Sequence, residues 1–63
     1  MSAEIRANVK KIINDYINGN ITAENRDKAL KSNGVELDSL MRARGKIKFV
    51  LSFDGKERET LIF

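Results

Sequence analysis

The chain contains no cysteine and no histidine. The first absence excludes disulfides and thiolate metal sites. The second removes the commonest metal ligand and the usual acid–base catalyst. No apolar run reaches the length of a membrane-spanning helix, about 18 residues. The opening Met1-Ser2-Ala3-Glu4-Ile5-Arg6 lacks the apolar core of a signal peptide, so a cytoplasmic protein is expected. There is no glycine-rich phosphate loop and no visible nucleophile–base pairing. The carboxylates are scattered among bases, and a chain this short has little room for a cleft that would displace a pKa. Neither catalysis, a cofactor nor a metal is therefore expected.

The 63 residues make one domain, 1–63, near the lower size limit for folding alone. Scaffolds of this size usually need a disulfide, a metal or a partner. With the first two excluded, ordinary packing or oligomerisation must suffice, and a dimer or a larger host complex is favoured. The net charge of +3 is unevenly spread. Arg42, Arg44, Lys46, Lys48, Lys56 and Arg58, half of all the basic residues, lie after residue 40. A basic end suits an anionic partner. Lysines on strands also guard against edge pairing, and the charge is open to that reading too.

The last third organises the chain. Ile47, Phe49, Leu51 and Phe53 alternate with Lys46, Lys48, Val50 and Ser52, the period of a strand with one buried face. Asp54-Gly55 is a hairpin signal, and Leu61-Ile62-Phe63 supplies an apolar end to the return strand. Phe53 is assigned to the core, with an exposed aromatic at the loop tip as the alternative. A lone hairpin is marginal in water and needs a layer to lie on. The preceding residues supply helices. Ser2 caps the first, and Ile5, Val9, Ile12, Ile13, Tyr16 and Ile17 form its apolar stripe until Asn18-Gly19-Asn20 stops it. Thr22 caps the second, which runs to about Ser32 and Asn33-Gly34, with a thin inner face of Ala23, Ala29 and Leu30. Leu37, Leu40, Met41 and Arg44 share one face of a third helix over residues 35–44, with Glu36 and Asp38 early and Arg42 and Arg44 late, as the helix dipole favours. The expected fold class is α+β: three short helices followed by a C-terminal β-hairpin (ααα-ββ).

This order resembles that of winged helix-turn-helix DNA-binding domains. The residues that carry the resemblance are Ile12, Ile13 and Ile17, the Gly19–Glu24 link, Ala29-Leu30 before Asn33-Gly34-Val35, then Leu37, Leu40 and Met41, and finally Gly45-Lys46-Ile47 and Asp54-Gly55-Lys56. The resemblance implies that residues 35–44 read the major groove, with Ser39, Arg42 and Glu36 facing base edges and Lys56 and Arg58 on a wing touching phosphate. Arg44, Lys46 and Lys48 complete the candidate nucleic-acid-binding set. The expected function is a small DNA-binding protein of the phage or mobile-element regulator type. The alternative is a protein-interaction module or inhibitor that docks on a host protein or a second copy of itself through strand edges or a helix. Asp38-Ser39-Leu40 also looks like the Asp-Ser-Leu of acyl carrier proteins, whose serine bears phosphopantetheine. Here, however, Gly45 and strand-forming residues stand where that family continues its helix.

Overall fold

The computed structural model describes residues 2–63. Two helices, α1 (Ala3–Ile17) and α2 (Ala23–Ser32), precede three strands, β1 (Val35–Ala43), β2 (Lys46–Phe53) and β3 (Glu57–Ile62). The strands form one antiparallel meander in the order β1-β2-β3. The fold is therefore ααβββ, and the expected third helix followed by a two-stranded hairpin is wrong.

Both helices begin as expected. Ser2 Oγ accepts the Ile5 amide at 3.2 Å, and Thr22 Oγ1 accepts that of Asn25 at 3.1 Å. The stripe of α1 delivers Val9 and Ile13, both fully buried, to the sheet. From β2 come Phe49, Leu51 and Phe53, from β1 Val35, from β3 Leu61 and from α2 Leu30, all in one cluster. Phe53 thus belongs to the core. Phe63 closes the cluster's edge, its ring set edge-on to Phe49 with centroids 5.6 Å apart. The thin α2 is held in an unexpected way. Arg26, only 7% exposed, lies over the Tyr16 ring at 4.3 Å, and its Nε donates to Asp27 Oδ1 at 3.0 Å. An arginine stem with its charge satisfied does the work of the missing apolar anchor.

A bulge explains why residues 35–44 read as a helix. Val35 and Leu37 pair with Phe53 and Leu51 on the inner face. The register then shifts between Leu37 and Ser39, so that Leu40, not Ser39, next faces the core opposite Phe49. The extra residue stretches an alternating pattern into a step of three, which imitates helical spacing. Asp38, the residue at the shift, accepts from Ser52 Oγ at 3.2 Å and pairs with Arg58 Nε at 3.3 Å. Ser52 lies on the helix-free face yet is 8% exposed, beneath these two side chains.

This arrangement makes Asp38 the fastener of the bulge. Asp38→Ala strips the Ser52 hydroxyl of its acceptor and should cost about 1–2 kcal/mol in urea unfolding. Adding Ser52→Ala should cost little more, giving a coupling of roughly 1 kcal/mol in the double-mutant cycle. Strict additivity would show that the two side chains do not interact.

Candidate nucleic-acid interface

The two hairpins use the same backbone device with different residues. At the β2–β3 turn, Asp54 and Gly55 both hold positive φ, 53° and 69°, and the Lys56 amide donates to Phe53 O at 3.0 Å. Asp-Gly suits that conformation. At the β1–β2 turn the pair is Arg44 and Gly45, at 52° and 75°. Arginine has no short polar side chain to ease the left-handed conformation, which costs an ordinary residue about 1–2 kcal/mol. Strain of this kind is tolerated where the side chain is needed for something other than the turn.

Around Arg44 the ribbon is densely basic. Between Ser39 and Phe53 the chain carries Arg42, Arg44, Lys46 and Lys48 and no carboxylate. Register distributes them. Ala43 pairs with Lys46, Arg42 with Ile47 and Met41 with Lys48. Lys46 and Lys48 therefore lie on the outer face, away from the helices. Arg42 lies on the helix side beyond the core, and Arg44 forms the tip. All four are exposed, and none forms an ion pair among the described residues. Other bases are engaged: Arg6 with Glu59, Lys28 with Glu24 and Arg58 with Asp38. A shallow depression lined by Arg42, Ala43, Arg44, Gly45, Lys46 and Ile47 runs along the ribbon's end.

The structure thus gathers four of the seven candidates and separates three. Ser39 lies midway along the edge strand β1, opposite Val50 and away from the ribbon's end. Residues 35–43 form β1 and Arg44 its closing turn, so Ser39, Arg42 and Glu36 do not project from a groove-reading helix, and Asp38-Ser39-Leu40 does not open one. Lys56 sits at the far end of β2, about 25 Å from Lys46 at the usual rise per residue. The Asp54-Gly55-Lys56 segment is not a free wing. The Asp54 amide donates to Gly34 O at 3.0 Å, which ties this turn to the α2–β1 junction. Sequence reasoning missed the exposed Met41 and Ile62, which flank Lys48 on the outer face, 54% and 63% exposed. The regular alternation of β3 could have placed Ile62 there; the bulge hid Met41.

No family model, curated protein or solved structure matches the chain. No helix among the described residues is long and apolar enough to cross a membrane.

Arg44→Asn tests the reading of the turn directly. Asparagine accepts positive φ, so the variant should be more stable than the parent by roughly 0.5–1 kcal/mol, seen as a raised urea midpoint with an unchanged slope. A lowered midpoint would mean that Arg44 supports the fold through contacts of its own.

Proposed function

We propose that the chain binds nucleic acid by seating the end of the β1–β2 ribbon in a duplex groove. The observation that carries this is the set of unpaired cations at the ribbon's end, which occupy both faces and the tip. Charges on one face alone would suit a flat anionic surface. A groove has a phosphate wall on each side, and a ribbon with Arg42 on one face, Lys46 on the other and Arg44 at the tip can meet both walls. Two strands with their side chains fit the major groove, which is about 12 Å wide. The mode is backbone-dominated and salt-sensitive, with Arg42 and Arg44 the only cations there able to fork onto a phosphate or a guanine edge. The role is that of a binding protein rather than an enzyme.

Fluorescence anisotropy with a ~20-base-pair duplex checks this. Three ribbon-end cations should give a log–log salt slope near −2.7, so affinity should fall about forty-fold between 50 and 200 mM salt. Arg42→Gln with Arg44→Gln and Lys46→Gln should flatten the slope. Lys10→Gln with Lys11→Gln on α1 should leave it unchanged. No binding at tens of micromolar duplex in ~50 mM salt, or an unaltered slope in the triple variant, contradicts the proposal.

A further inference from the structure

Asn18 and Asn33 each close a helix, and each stands before a glycine. That pairing has chemistry of its own. A backbone amide nitrogen can attack the side-chain carbonyl carbon of the asparagine before it. The new nitrogen–carbon bond closes a succinimide, the Cγ–Nδ2 bond breaks and ammonia leaves, and the amide proton passes to a solvent base. Water then opens the ring at either carbonyl and leaves aspartate or isoaspartate. Glycine permits the attack best, because it has no Cβ to crowd the ring and the freest backbone. Asn8, Asn14, Asn20 and Asn25 precede Val9, Asp15, Ile21 and Arg26, whose side chains hinder it. Asp54 also precedes a glycine, but a carboxylate is a poor target for a nucleophile.

The backbone treats the two sites alike. Asn18 and Asn33 hold ψ of 1° and 9°, and Gly19 and Gly34 hold φ of 77° and 74°. The Gly19 amide donates to Tyr16 O at 3.1 Å, and that of Gly34 to Lys31 O at 3.0 Å. Each glycine nitrogen must leave that bond before it attacks, so either reaction waits on opening of the cap. The side chains differ. Asn33 is half-buried; its Nδ2 donates to Ala29 O at 2.9 Å, and its Oδ1 accepts from Asn8 Nδ2 at 3.2 Å. Beyond it, Gly34 O accepts the Asp54 amide at 3.0 Å, and Val35 is fixed in the core. Asn18 is exposed, and its side chain has no hydrogen-bond partner among the described residues. Gly19 and Asn20 after it are exposed as well.

We infer that Asn18 is a site of spontaneous deamidation and that the fold spares Asn33. The new carboxylate stands at the negative end of the α1 dipole, where the last turn holds no base. Isoaspartate also adds a methylene to the backbone before Gly19, which displaces the amides that bond Tyr16 O and Asp15 O. The change loosens the end of α1 and lowers the net charge of +3 by one.

Ageing the intact chain at mildly alkaline pH, with peptide mapping by mass spectrometry, reads each site separately. Asn18 should deamidate at least about fivefold faster than Asn33, the factor that two side-chain hydrogen bonds supply. In urea strong enough to unfold the chain, the two should react at like rates. Asn8→Ala, with a cooperative melt to show that it folds, should speed Asn33 about two- to tenfold and leave Asn18 unchanged. Asn18→Gln should abolish the early acidic species on isoelectric focusing. Equal rates at the two sites in the folded chain overturn the inference. So does a difference that persists in urea, which would place its cause in the local sequence. So does an Asn33 indifferent to Asn8→Ala, or a folded chain that keeps both amides while the unfolded chain loses them.

Discussion

Burial of the inner face of β2 against the helices is the constraint on which the rest depends. Phe49 and Leu51 are fully buried beneath Val9, Ile13 and Leu30, and they fix where β2 lies and which way it faces. Once they are inside, Lys46, Lys48, Val50 and Ser52 must be outside, because strand side chains alternate. Pairing to β2 then dictates the faces of β1 and β3. In so small a domain no second layer exists to cover the other side.

That asymmetry links fold to function. The apolar contribution of the ribbon runs out at Leu40 and Ile47, both half-buried, while the strands continue to Ala43 and Lys46. Beyond the core, the ribbon carries charge instead of apolar surface. Arg44 sits there in a backbone conformation that Asp54 occupies at lower cost in the other turn. The acidic residues of β1 are held at the opposite end, where Asp38 is occupied by Ser52 and Arg58. The sheet thus separates its charges by position along the strands, and the separation leaves an unneutralised basic tip.

Much of this was legible in the sequence. The caps at Ser2 and Thr22, the stripe of α1, the alternation of β2 and the Asp54-Gly55 turn each carry their own local signal. β1 was not legible, for two physical reasons. Its bulge converts a period of two into the three-residue step from Leu37 to Leu40, and its charges fall where a helix dipole would want them. Its closing turn uses Arg-Gly, which lacks the side-chain chemistry that marks such turns. The candidate site was legible as a density of basic residues but not as a surface. Only the register shows that Arg42 to Lys48 cluster, that Arg58 is engaged by Asp38 and that Lys56 lies at the wrong end. Arg26 taught a similar lesson in the core, where a charged residue stood in for an apolar one.

The sheet and its basic end both depend on β1 being a strand in this register. Nuclear Overhauser contacts between α-protons test it most directly, since they are strong only across closely spaced antiparallel pairs. The Ile47 amide and carbonyl are both bonded to Phe63, which leaves Arg42–Ile47 and Leu40–Phe49 as the close pairs between β1 and β2. Strong α-proton contacts at both pairs are the expected result. Sequential amide–amide contacts running from Leu37 to Ala43, the mark of a helix, would contradict the fold and with it the basic ribbon.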